Sequence, residues 1–119
     1  MAQKTVLIVD DSKFARLSLS SIVARHFPDW IIGEAANGAA ALCALGEAAV
    51  DFVLLDFNMP GEDGLTVAQK MRELRPDSRI ALVTANVQDA IVQQAHALGI
   101  GFIPKPVEAE MLRQFLAAP

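Results

Sequence analysis

A chain of 119 residues has the length of one domain, at about 100–200 residues each. Its composition, 53% hydrophobic and 20% charged, is that of a globular chain rather than a disordered one. A net charge of −4 argues against nucleic-acid binding by charge alone, one cysteine excludes an internal disulfide, and no Cys/His pair stands at zinc-ligand spacing.

The chain enters its first apolar run at once. Val6 to Val9 is followed directly by Asp10 and Asp11, which is too short a run for a secretory signal. No apolar stretch approaches the ~18 residues of a membrane span. The expectation is a cytoplasmic protein with no membrane contact, and the lone Cys43 agrees with a reducing compartment. Cys43 itself reads as a small hydrophobe buried on a helix.

Short apolar runs then alternate with helical stripes. Ala15, Leu19, Ile22 and Val23 recur at helical spacing behind Ser12, a plausible N-cap. Pro28-Asp29 marks a turn before the mixed run Ile31 to Ala35, which reads as an edge strand. Asn37 caps a second stripe, Ala41, Leu45 and Ala48. Phe52 to Leu55 is a third strand, and Val67, Met71 and Leu74 form a third helical stripe that ends at the turn Pro76-Asp77-Ser78. Ile80 to Val83 is a fourth strand. A fourth helix carries Ile91, Ala95 and Leu98, with Asn86 and Asp89 as candidate caps and Gly99 as its stop. Phe102 with Ile103 gives a fifth strand, and Met111, Leu112, Phe115 and Leu116 a last short helix.

Four of the five strands are near-continuous in apolar residues, the pattern of strands buried on both faces. Strand–helix alternation therefore predicts an α/β fold, a doubly wound parallel sheet covered by helices on both sides. The period alone leaves the strand order open.

In such sheets, sites form at the carboxyl ends of the strands. There the first strand is followed by Asp10 and Asp11, and the third by Asp56 with Asn58-Met59-Pro60-Gly61. The fourth is followed by Thr84 and Ala85, and the fifth leads into Lys105-Pro106. Each has an ordinary explanation alone: acidic residues suit a helix N-terminus, Thr caps, Lys is solvated. Joint placement at four strand ends argues otherwise. Two like charges ~4 Å apart repel by about 4 kcal/mol at an effective dielectric of ~20. Three carboxylates with one ammonium leave two negative charges, the complement of one divalent cation. The donors are hard oxygens, which select Mg²⁺ or Mn²⁺ over zinc. Mg²⁺ bound by few carboxylates keeps positions open for a phosphoryl oxygen, and a carboxylate attacking phosphorus forms an acyl phosphate. Asp56, at the end of the central strand, is the candidate nucleophile.

The motifs Leu7-Ile8-Val9-Asp10-Asp11-Ser12, Val53-Leu54-Leu55-Asp56-Phe57-Asn58-Met59-Pro60-Gly61, Leu82-Val83-Thr84-Ala85 and Phe102-Ile103-Pro104-Lys105-Pro106 stand in order along the chain. Together they resemble a response-regulator receiver domain of two-component signalling, of the single-domain chemotaxis type, over residues 1–119. The resemblance implies a flavodoxin-like strand order 2-1-3-4-5. It implies Asp56 as phosphoacceptor and a Mg²⁺ (or Mn²⁺) site of Asp10, Asp11, Asp56 and the Asn58 backbone carbonyl. Lys105 would pair with Asp56 and then with the phosphoryl group, Thr84 would be the switch hydroxyl, and Phe102 the switch aromatic. Ala85, Asn86 and Pro106 would neighbour the phosphoryl site.

The implied partners are a sensor histidine kinase or histidine phosphotransfer protein, and a downstream protein target or output domain. Neither nucleic acid nor membrane is expected to bind this chain. The role is that of a signalling domain that assists its own phosphorylation and dephosphorylation, rather than an enzyme. A receiver portion of a longer regulator fits the same residues. A flavodoxin-type FMN binder fits them poorly, because carboxylates stand where its phosphate loop would be and the chain has no Tyr and one Trp. His26 and His96 lie in helical stretches without ligand company and read as structural or surface residues.

Overall fold

The structure is a computed structural model that describes residues 3–59, 61–85 and 87–117, with Glu62 as backbone only. In chain order the elements are β1 (Thr5–Val9), α1 (Lys13–His26), β2 (Ile31–Ala35), α2 (Gly38–Glu47), β3 (Phe52–Asp56), β4 (Asn58–Met59), β5 (Glu62–Asp63), α3 (Gly64–Leu74), β6 (Arg79–Thr84), α4 (Asp89–Ala97), β7 (Gly101–Pro104) and α5 (Ala109–Ala117). The five apolar runs form one parallel sheet in the order β2-β1-β3-β6-β7. Counted over the sheet alone, this is the flavodoxin-like order 2-1-3-4-5. The mixed run Ile31–Ala35 lies at one edge, where its exposed residues meet solvent.

Alternation along the strands sorts side chains onto two faces. Leu7, Val9, Val53, Leu55, Ile80 and Leu82 pack against Ala41 and Leu45 of α2, Val67 and Met71 of α3, and Ile91 and Ala95 of α4. Val6, Ile8, Phe52, Leu54, Ala81, Val83 and Ile103 pack against Leu19 and Val23 of α1 and Leu112 and Leu116 of α5. The sheet is therefore a wall between two cores. Each fully buried Leu, Ile or Val stabilises it by about 1.5–3 kcal/mol relative to exposure.

Local chemistry sets the helix starts. The Ser12 Oγ accepts from the Ala15 N–H at 3.2 Å, and the Asn37 Oδ1 from the Ala40 N–H at 2.8 Å. Both fill the role read from sequence. Gly99, at φ +73°, follows α4 in the left-handed region that glycine enters at little cost. The Phe27 ring stacks on Trp30 at 4.1 Å, and Trp30 on Phe52 at 5.5 Å, so these aromatics serve packing below the sheet.

Several expectations need correction. Cys43 is exposed on the outer face of α2, with its Sγ 3.6 Å from Glu47 Oε1, because the buried stripe of that helix runs through Ala41 and Leu45. Ala48, Leu74 and Met111, read as stripe positions, are exposed: Ala48 lies just past α2, Leu74 ends α3 and Met111 stands in the first turn of α5. Asp89 lies in the first turn of α4 rather than at its N-cap, which is Gln88 and has no side-chain cap bond; Asn86, the other candidate cap, lies outside the described residues. The antiparallel pair β4–β5, with Gly61 at φ +93° between the strands, was not legible as structure in the run after Asp56.

Candidate functional site

Strand register explains why residues distant in sequence meet. Val9 pairs with Leu55, so Asp10 and Asp56, one step further along, leave adjacent strands together. Asp56 pairs with Val83 and Thr84 with Pro104, so Thr84 and then Lys105 extend the same edge. The Lys105 N–H donates to the Thr84 carbonyl at 2.9 Å and continues the ladder into the loop. The Lys105-Pro106 peptide is cis.

Asp10 and Asp56 are buried at 2% and 6% exposure, and Asp11 is exposed. One carboxylate oxygen from each of the three lies within 4.8 Å of the others. Lys105 Nζ donates to Asp56 Oδ1 at 3.1 Å and to Asp10 Oδ2 at 3.4 Å. The Ser12 N–H donates to Asp10 Oδ1 at 2.9 Å. Thus one lysine bridges two of three crowded carboxylates, and the pocket keeps two negative charges.

Burial pushes the Asp56 carboxyl above the usual carboxylate range, and the Asp10 charge adds to the effect. The bond from Lys105 and the Asn58 backbone N–H only partly offset it. Burial works against the Lys105 ammonium too, but its bonds and attraction to Asp56 and Asp10 win and raise it above the ordinary lysine value. The ionised Asp56 is therefore short of positive charge. The donor set is carboxylate oxygen throughout, without imidazole or thiolate. It fits a hard divalent cation of the Mg²⁺, Mn²⁺ or Ca²⁺ type and does not fit zinc.

The other residues read from sequence are placed as follows. Thr84 is fully buried at the end of β6, and Ala85 beside it is exposed. Phe102 lies on β7 opposite Leu82, partly buried against the core shared with α4. Pro106 is exposed and Asn58 is exposed on β4. Asn86, and Pro60 of the third-strand motif, lie outside the described residues. His26 and His96 are exposed on α1 and α4, away from the acidic cluster.

Two contributors escape sequence reading. Gly64 opens α3 so close to the peptide after Asp56 that a Cβ there would stand 2.8 Å from Phe57 Cα and 3.2 Å from the Asp56 carbonyl oxygen. Its N–H donates to the Phe57 carbonyl at 3.2 Å. Asp63 before it caps α3 through the Thr66 N–H at 2.8 Å. An Asp-Gly step ahead of a helical stripe is the signal that marks this start. Arg16 reaches back from α1 to the Asp10 carbonyl, an approach that no local sequence rule anticipates.

Comparison with known proteins agrees with this geometry. The family model for the response regulator receiver domain matches residues 6–117. The chemotaxis protein CheY of Bacillus subtilis is 33% identical over 106 residues, covering 88% of each chain. The structure of Vibrio cholerae chemotaxis protein CheY4 superposes with a TM-score of 0.86 at 28% identity over 97% of both chains. A response regulator from Burkholderia pseudomallei, crystallised with a phosphorylated aspartic acid, a calcium ion and citrate, gives a TM-score of 0.87 at 25% identity, covering 98% of this chain and 68% of that one. Sequence, strand order and acidic pocket converge on one conclusion: the chain belongs to the response regulator receiver domain family, the signalling domains of two-component systems.

Proposed function

We propose that the chain accepts a phosphoryl group on Asp56 in a reaction dependent on a divalent cation, with Mg²⁺ the expected ion. The observation that carries this reading is the gathering of Asp10, Asp11 and Asp56 within 4.8 Å, with Lys105 3.1 Å from Asp56. Asp10, Asp11, Asp56 and the Asn58 carbonyl would hold the cation, which supplies neutralisation of charge on the transferring group. An Asp56 carboxylate oxygen bonds to phosphorus as the bond from phosphorus to the donor breaks, and that electron pair leaves with the donor. Asp56 lies at the pocket floor, already shielded from bulk water. Lys105 then moves its Nζ from the Asp56 carboxylate to a phosphoryl oxygen.

The donor would be a histidine kinase or histidine phosphotransfer protein. Phe14, 81% exposed, borders a groove of about 280 Å³ that it shares with Ser18, Pro106, Val107 and Lys105 itself. An apolar rim next to the reacting lysine suits a helix that carries a phosphorylated imidazole. The new charge and its acceptor oxygens would engage Thr84, draw in the loop after β6 and turn Phe102 inward. The surface formed by α4, β7 and α5 would change with them. It carries the exposed Val92 and Met111, apolar side chains for a downstream target or output domain to cover.

Intact mass after incubation with a small acyl phosphate and Mg²⁺ tests the reading. One added phosphoryl group is expected, and chelation should suppress it. An unchanged mass with the ion present would contradict it.

A further inference from the structure

We infer that Arg16 is a positioning residue for the divalent-cation pocket, oriented by Glu34, and that it acts by fixing the peptide between Asp10 and Asp11. The inference rests on the reading of the three aspartates as a cation site. Arg16 Nη1 donates to the Asp10 carbonyl at 2.7 Å, while its Nε donates to Glu34 Oε1 at 2.9 Å. The Asp10 N–H in turn donates to the Ala35 carbonyl at 3.1 Å, so the Asp10 backbone is gripped from β2 on one side and α1 on the other. Its carboxylate is held as well, by the Ser12 N–H and Lys105.

Asp11 is different. It is exposed, and among the described residues no side-chain bond fixes its carboxylate. Its aim into the pocket depends on the backbone that carries it, so a loosened Asp10–Asp11 segment would let the Asp11 carboxylate drift from the cluster. Arg16 holds the Asp10 carbonyl oxygen of that segment through a charge-assisted bond.

An ordinary surface ion pair contributes little, because two solvated side chains must be held in one geometry. Arg16 differs on two counts: its side chain is only 15% exposed, and its second bond goes to backbone. Glu34, at 48% exposure, has a further consequence. It cancels the guanidinium charge, so Arg16 steadies the acidic loop without neutralising the pocket. Groups of this kind behind metal ligands typically alter affinity by roughly 10–100-fold when removed.

Calorimetric titration of the full chain with Mn²⁺, without any phosphodonor, tests the inference. Wild type should bind one ion and Asp11→Ala should bind far more weakly. Arg16→Met should raise Kd by roughly 10–100-fold while the circular dichroism spectrum and a cooperative melt persist. Arg16→Lys should recover only part of the loss, since one ammonium cannot serve Glu34 and the carbonyl in the same planar geometry. If Arg16→Met does not fold, Glu34→Ala releases the guanidinium without touching a buried group, and a several-fold rise in Kd is expected. An unchanged Kd in a folded Arg16→Met or Glu34→Ala protein, or full recovery by lysine, overturns the positioning role and leaves the cation site intact. Absence of Mn²⁺ binding by wild type overturns the cation-site reading instead, and the inference with it.

Discussion

Asp56 is paired with Lys105, yet burial outweighs that partner, and this makes its stability effect opposite in sign to that of an aspartate whose ion pair outweighs its burial. Its folded pKa is raised by burial, so the native state binds its proton more tightly than the unfolded chain does. The ionised group therefore costs stability above the ordinary carboxylate pKa, and the cost vanishes as pH falls below it. In cation-free buffer Asp56→Asn should melt above wild type at pH 7, since Lys105 keeps Asp10 as partner, and the gap should close towards pH 3. A wild type that is the more stable of the two at pH 7 would contradict this. On the proposed reading Thr84, buried at the end of β6, would serve the response rather than the transfer. Thr84→Ala should retain most phosphoryl labelling while hydrogen exchange across α4 and β7 no longer changes on labelling. Equal loss of both would remove its switch role.

At the scale of elements, the parallel strands set the site and the helix starts tune it. Buried runs such as Val53-Leu54-Leu55 show in the sequence because a strand covered on both faces must be apolar throughout. Asp10, Asp56, Thr84 and Lys105 were legible for the same reason: each is the first polar residue after such a run or close behind it. The short β4–β5 pair was not, since two residues per strand leave no period to read. The exposed face of Cys43 was missed because α2 is apolar nearly all round, which hides which stripe faces the core. Arg16 was invisible because its target is a backbone carbonyl in the loop after β1, which no side-chain pattern marks. Gly64 makes the element-scale prediction. A methyl group there meets two backbone atoms of the Asp56–Phe57 peptide, so Gly64→Ala must push α3 away from it. A displacement of this kind at a reacting group costs up to about 100-fold in rate. Labelling by acyl phosphate should slow by at least ~10-fold, while fluorescence of Trp30, stacked on Phe27 and Phe52 below the sheet, stays native. Labelling at the wild-type rate would show that the contact does not position Asp56.

Taken whole, the molecule is a wall of strands with a core on each side and its charge conflict confined to one edge. The two cores secure the fold independently of that conflict. Leu54→Ala, at a fully buried position facing α1 and α5, should cost about 2–5 kcal/mol in urea unfolding with an unchanged m-value. The acidic edge holds back stability that a bound cation would release. Mg²⁺ at ten times its Kd should add about 1.4 kcal/mol, or roughly 4–6 °C in Tm, and Asp11→Ala should remove the increment. A shift of the same size in that variant would place the ion elsewhere.

Strand register brings Asp56 into the acidic pocket where, on the proposed reading, it accepts a phosphoryl group, and an acyl phosphate can be read chemically at the residue that carries it. Borohydride reduces an aspartyl phosphate to homoserine. Treatment with acyl phosphate and Mg²⁺, then borohydride, then peptide sequencing should place homoserine at position 56 and at no other aspartate. Homoserine at position 10 or 11, or none anywhere in a protein that has gained a phosphoryl group, would contradict the account.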